Sequence, residues 1–207
     1  MDTDEIVPRD VLEAEPWPAY VLDATGKFVA VNRAWDREAQ QAGGPTGSAV
    51  IGTMWLDHIA SEEARAWYRA LLERLWAPDR RGRGIDHVCA CNTPELYRLF
   101  ATRFEPIAPE DEGGLAGVLI VTRLLEEAPI GERYSVAPFD ERRFLQPDGV
   151  LLQCGGCRRM RVAGSSPSLW VFVSELVARP RANVSHGLCE ICREVYYGIA
   201  PRGGGRA

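Results

Sequence analysis

The sequence predicts an α+β protein with a small metal-held tail at its C-terminal end. Three observations predict it. Residues 17–125 follow the order strand, strand, helix, helix, strand, strand, strand. Within that stretch Ala64, Trp67, Tyr68, Leu71, Leu72, Leu75 and Trp76 recur at i, i+3, i+4 spacing, the pattern of a helix with one buried face. Beyond it, Cys154-Gly-Gly-Cys157 is answered by Cys189-Glu-Ile-Cys192, and the two pairs hold four of the six cysteines.

Residues 1–16 read as a helical leader, with Pro8–Glu15 helical and Pro16 and Pro18 ending it. Tyr20–Asn32 then reads as two strands joined at Asp23-Ala-Thr-Gly26, where glycine supplies a positive φ. Asn32 is placed to cap a helix over Arg33–Ala42, which Gly43-Gly44 ends. After turns around Gly52, Ser61 opens the amphipathic helix. Pro78 and the loop Arg80-Arg-Gly-Arg-Gly84 close it. Strands follow near 85–91, 95–106 and 115–124, the last two separated by the acidic turn Pro109–Gly114.

Residues 126–148 contain Pro129, Pro138 and Pro147 without periodicity and read as a linker. The tail, 149–200, is expected to hold a strand over Arg158–Val162 and a turn at Gly164–Pro167. A short helix capped by Ser168, with Trp170, Val173, Leu176 and Val177 on one face, comes next. A final helix from Cys189 to Tyr197 completes it. Residues 201–207, rich in glycine, read as a disordered end.

Val21–Asn32 resembles the opening signature of PAS domains, D-x-x-G-x-hydrophobic-x-x-x-N, and Val50-Ile-Gly-Thr53 falls where that family has two hydrophobic residues and a glycine. With the element order, this resemblance implies a PAS-like five-stranded antiparallel sheet with helices on one face, enclosing a small cavity. It also implies sensing or protein pairing, by dimerisation or with a partner, and no catalysis. The tail resembles a cysteine-rich segment that follows PAS domains in bacterial signalling proteins, C-x-x-C-[KR]-x-[IMV]-R, then Trp, then S-H-G-h-C-x-x-C. Here these are Cys154–Arg161, Trp170 and Ser185–Cys192, with Glu190 in place of the usual proline.

Two C-x-x-C pairs at this separation are the pattern of a tetrahedral metal site. Soft thiolates suit zinc or iron, and four of them leave no open position, so one structural Zn²⁺ held by Cys154, Cys157, Cys189 and Cys192 is expected. A turn carrying one pair and a helix start carrying the other make a treble-clef arrangement. A core this small is expected to fold only with its metal. His186, three residues before Cys189, is a fifth candidate ligand or a group bonded to a ligand. Four buried thiols without metal and a redox dithiol are the rival readings. The dithiol would need a βαβ unit that the tail is too short to supply.

Elsewhere the expectations are plainer. Cys89 and Cys91 share a strand face with His87, either as a second metal or haem site or as small half-buried side chains beside a surface histidine. The plainer pairing is expected. His58 is expected to be a hydrogen-bonded loop histidine, and Trp17, Trp35, Trp55, Trp67 and Trp76 to be core. The second helix lacks the histidine of haem-binding PAS domains and the chain lacks the cysteine motif of flavin-binding light sensors. Haem and covalent flavin are therefore not expected, and the cavity ligand is open. No nucleophile elbow, phosphate loop, H-E-x-x-H or kinase set occurs.

Residues 1–132 carry 13 Lys+Arg against 23 Asp+Glu, and 133–207 carry 11 against 6. The basic excess invites a nucleic-acid reading, but a metal with four thiolates would cancel part of it, so nucleic acid is not the expected partner. No apolar run reaches the length of a membrane span and no signal peptide is visible, which predicts a cytoplasmic protein with reduced thiols. The function expected is that of a non-catalytic bacterial signalling protein. A redox or zinc-occupancy sensor and a nucleic-acid-binding regulator are the alternatives.

Overall fold

The structure, a computed structural model, describes residues 6–59, 61–77, 83–108 and 116–197. The arginine-rich loop at 80–84 (apart from Arg83 and Gly84), the acidic turn at 109–114 and the glycine-rich end fall outside these residues. Two compact units are formed: Met1–Ile59, Tyr68–His87 and Ala101–Arg123 make the first, and Ala60–Trp67, Val88–Phe100 and Leu124–Ala207 the second.

Helix α1 (Arg9–Ala14) precedes strands β1 (Ala19–Asp23) and β2 (Phe28–Val31). The turn between the strands is tied by Asp23, whose Oδ1 accepts from the N–H groups of Thr25 and Lys27 and from the Thr25 hydroxyl, while Gly26 takes φ 87°. Asn32 caps α2 (Arg33–Ala42) as its spacing predicts. It does more than that: Oδ1 accepts from both Trp35 and Ala19, and Nδ2 donates to the carbonyls of Glu15 and Trp17. One buried amide thus satisfies the leader, the first strand and the helix together. Gly43, at φ 66°, ends α2.

A short helix α3 (Gly47–Val50) and a 3₁₀ turn at Trp55–His58 lead to α4 (Glu62–Trp76), where Ser61 Oγ accepts from the Ala64 N–H. Strands β3 (Ile85–Ala90), β4 (Leu96–Ile107) and β5 (Gly117–Pro129) complete a five-stranded antiparallel sheet of order β2-β1-β5-β4-β3. Tyr20 lies opposite Val31 and Ile120, and Val21 opposite Ala30 and Leu119, so β1 is paired on both sides and buried. In the first unit Trp55 and Tyr68 meet edge-on at 5.0 Å and both reach Phe104. Of the tryptophans expected in the core, only Trp55 is fully buried. Trp35, Trp67 and Trp76 are half-buried, and Trp17, between Pro16 and Pro18 and ahead of β1, is 43% exposed.

The segment expected as a linker carries regular structure. β5 runs on through Pro129, followed by α5 (Ile130–Arg133) and α6 (Glu141–Phe144). Ala137 and Phe144 are buried with Leu151, Met160, Val171, Val173 and Leu176 in a core of the second unit. A four-stranded sheet of order β8-β7-β6-β9 follows, from β6 (Leu151–Cys154), β7 (Met160–Arg161), β8 (Trp170–Val171) and β9 (Val184–Gly187). Trp170 was expected in a helix, yet it pairs with Arg161 in β8, and α7 starts only at Ser174 and ends at Ala178. Aromatic and β-branched side chains from Trp170 to Val173 fit a pleated surface better than a helix. The last helix, α8 (Glu190–Tyr197), begins one residue after the expected start at Cys189.

Candidate metal centre

Each cysteine pair is set by local backbone chemistry. Cys154 ends β6, and the chain reverses through Gly155-Gly-Cys-Arg158. The Arg158 N–H bonds the Cys154 carbonyl at 2.9 Å, and the Cys154 N–H bonds the Arg159 carbonyl at 2.8 Å. Arg158 holds φ 63°, a left-handed conformation rare for a side chain of its size. Neither glycine tolerates substitution easily. A Cβ on Gly155 would lie 2.2 Å from the Ser61 Cβ, and one on Gly156 2.8 Å from the Cys192 Sγ.

The second pair arrives by a parallel pairing that no local pattern announces. β9 lies beside β6 with Gly187 opposite Cys154, and the Gly155 N–H bonds the Gly187 carbonyl. The chain then turns into α8. Cys189 is the residue before its first turn, its carbonyl accepting from Arg193 and its Sγ from the Cys192 N–H at 3.5 Å. A sulfur in this position faces the free N–H groups of a helix start, which favour negative charge.

The four Sγ atoms of Cys154, Cys157, Cys189 and Cys192 lie within 4.8 Å of one another, with Cys157 and Cys189 at 3.7 Å. A tetrahedron with metal–sulfur bonds of about 2.3 Å has edges of about 3.8 Å. The donor set therefore fits a tetrahedral thiophilic ion, and a cysteine cluster able to hold a metal is a feature of this fold. All four are free of disulfides. Cys154, Cys157 and Cys189 are at most 1% exposed, and Cys192 is 8% exposed. Cys157 is pushed down to about 7, chiefly by a hydrogen bond with the Cys154 thiol. Cys189 is also driven down, by hydrogen bonds with the other three thiols and by the Cys192 N–H. Cys154 and Cys192 are driven up by the same sharing of protons. The cluster thus reaches thiolate at some of its sulfurs before others.

Arg159 is the functional residue that the motif alone does not single out. Its Nε donates to Cys157 Sγ at 3.2 Å and its Nη2 to Cys189 Sγ at 3.1 Å, one sulfur from each pair. Its guanidinium lies 4.8 Å over the Tyr134 ring. Asn92, also unforeseen, donates to the Cys157 carbonyl at 2.9 Å while accepting from the Arg98 N–H. The Arg158-Arg159 pair after the second cysteine marks a cation near the thiols. Which of the two turns inward depends on the left-handed turn at Arg158.

His186 sits in β9 opposite Gln153 and is not among the atoms gathered within 4.8 Å. Burial and the nearby Arg158 lower its pKa, with Glu63 opposing them. Cys89 is half-buried and Cys91 exposed, and among the described residues they form no ligand group with His87. His87 corrects the expected surface histidine: it is 7% exposed, packs edge-on against Tyr68 at 5.7 Å, and burial lowers its pKa to about 4. β3 turns that face of alternate residues inward at His87. His58 is exposed and bonds the Thr53 hydroxyl at 2.8 Å.

A family model described as PAS fold matches residues 12–128, so the cysteine cluster lies beyond the matched region. Among solved structures, the PAS domain of BvgS from Bordetella pertussis is 20% identical, covering 57% of this chain and 83% of that one, with a TM-score of 0.45. VqmA from Vibrio cholera, solved with ligand and DNA, is 13% identical over 56% of this chain at a TM-score of 0.42, and the match spans 49% of VqmA. A PAS domain from Colwellia psychrerythraea is 12% identical over 56% of this chain and 92% of that one, at a TM-score of 0.41. A search of curated proteins gives no match.

Proposed function

Because this chain belongs to the PAS fold family, we propose that it is a non-catalytic regulatory protein of a signalling system, whose sensory or pairing domain is joined to a tail held by one structural zinc ion. The observation that carries the reading is the closed set of four buried sulfurs. Four thiolates complete a tetrahedron and leave no position for a substrate or a water, which is the arrangement of structural rather than catalytic zinc. The role of the ion is to join the β6–β7 turn to the start of α8. Cys154, Cys157, Cys189 and Cys192 are its ligands, and His186 steadies the strand that delivers the second pair. The output passes through a protein partner or a second copy of the chain.

Metal content across single alanine variants tests the assignment. The parent chain and His186→Ala are each expected to hold one equivalent of zinc, the variant about 10-fold more weakly. Each cysteine variant is expected to lose it. A cysteine variant that keeps full zinc while His186→Ala is empty would make the histidine a ligand. The regulatory role is tested by affinity capture of a signalling protein with the loaded chain and with Cys154→Ala, where capture is expected to need the metal.

A further inference from the structure

We propose that Cys192 is the sulfur at which the metal centre reacts, and that it takes small uncharged electrophiles of the α,β-unsaturated aldehyde class. This rests on the reading of the four cysteines as metal ligands. Three independent features of the second unit single it out. The first is hydrogen bonding. Cys189 Sγ receives the Cys192 N–H and Arg159 Nη2, Cys157 Sγ receives Arg159 Nε, and Cys154 Sγ receives the Cys189 N–H at 3.3 Å. Among the described residues no N–H is directed at Cys192 Sγ. An N–H donor draws electron density from a thiolate and lowers its basicity, and nucleophilicity falls with basicity. The sulfur without donors is the strongest nucleophile of the four.

The second feature is access. Cys192, at 8%, is the most exposed of the set, and the residue packed against its sulfur from the turn is Gly156, where a Cβ would come within 2.8 Å of it. The third is the approach. A pocket of about 260 Å³ is walled by Val88, Leu99, Ile191, Val195 and Tyr196 and is bordered by Cys192. Cys157 and Cys89 border it too, but the Cys157 sulfur is held by Arg159 and Cys89 lies outside the cluster. The charges at the rim are already engaged, Arg133 by Glu126 and Arg159 by the sulfurs. An uncharged apolar reagent therefore suits these walls better than an anion.

The step balances without an oxidant. A lone pair of the Cys192 thiolate attacks the β-carbon of the aldehyde, a C–S bond forms, and the C=C π bond opens. Its electron pair moves to the carbonyl oxygen as an enolate, which takes a proton from water at the α-carbon and leaves hydroxide. Cys192 becomes a neutral thioether, a poor ligand, and the tail loses one of its four attachments.

The test uses the full zinc-loaded chain carrying Cys89→Ser and Cys91→Ser, which removes the two thiols outside the cluster. Zinc content is measured first, then trans-2-hexenal is added. Released zinc is followed with a chromogenic chelator and adducts are located by peptide mass spectrometry. The first adduct is expected on Cys192, with one zinc released per adduct. Arg159→Gln is expected to spread adducts to Cys157 and Cys189 and to speed release about tenfold. A first adduct on Cys154, Cys157 or Cys189 in the parent chain overturns the proposal without reference to any Arg159 variant. A chain that carries no metal overturns the metal centre itself, and the opening metal measurement separates that failure from the other.

Discussion

Arg159 brings a positive charge to two sulfurs of the cluster, where it would offset the negative charge of four thiolates around a divalent ion. Its planar fork reaches sulfurs from both pairs, which an ammonium could not do with the same geometry. His87 shows the opposite case, a titratable group kept neutral. Burial depresses it from 6.5 to about 4. Between those values the unfolded chain binds a proton that the folded chain excludes. Stability is therefore full above about pH 6.5 and falls as pH drops toward 4, by up to about 3 kcal/mol, with no further loss from this group below. The His87 ring proton should titrate by NMR with a midpoint near 4, and His87→Leu should flatten that limb of the stability curve. A midpoint at or above 6.5 would contradict it. Residue roles were legible where a type has one local use: Asn32 as a cap, Gly26 and Gly43 at positive φ. The inward turn of Arg159 was not, since it rests on the left-handed backbone at Arg158, and the bond from Asn92 was not, since it joins residues far apart in sequence.

At the scale of elements, the Asn32 cap and the Gly43-Gly44 end bounded α2, while periodicity located α4, whose buried face repeats with the helix. It failed at Trp170–Val173, where hydrophobic residues run consecutively and strand pairing with β7 decides. It failed also at 126–148, whose prolines read as a linker while Ile130, Ala137 and Phe144 are buried. Those residues bear on the expectation that the tail folds only with metal. The core around Phe144, Leu151 and Met160 is a second source of stability, away from the sulfurs. Removing the metal is therefore expected to raise amide exchange most at Cys154–Arg159 and through β9 and α8. Exchange in β1 and β2 should hold. Uniform protection through Tyr197 after complete removal of the metal would show that the ion holds nothing together.

For the whole molecule, the basic excess of 133–207 looks different once the arginines are placed. Arg159 serves the sulfurs, Arg181 lies 4.2 Å over the Phe139 ring, Arg143 lies over Phe144, and Arg133 pairs with Glu126. These four of its eleven basic residues thus have partners within the second unit. Among the described residues no helix is long and apolar enough to cross a membrane. The purified chain is expected to lack a Soret band, since α4 has no histidine and His87 is packed against Tyr68. A stoichiometric band lost in a His58 or His87 variant would overturn that expectation. By itself the sequence determined the α+β class, the order of the first elements and the four cysteines, because caps, turns, periodicity and C-x-x-C spacing act over a few residues. Only the tertiary structure decided the parallel pairing of β6 with β9, the burial of His87 and the unequal hydrogen bonding of the four sulfurs. Those depend on which distant segments meet, and a short-range pattern carries no record of that.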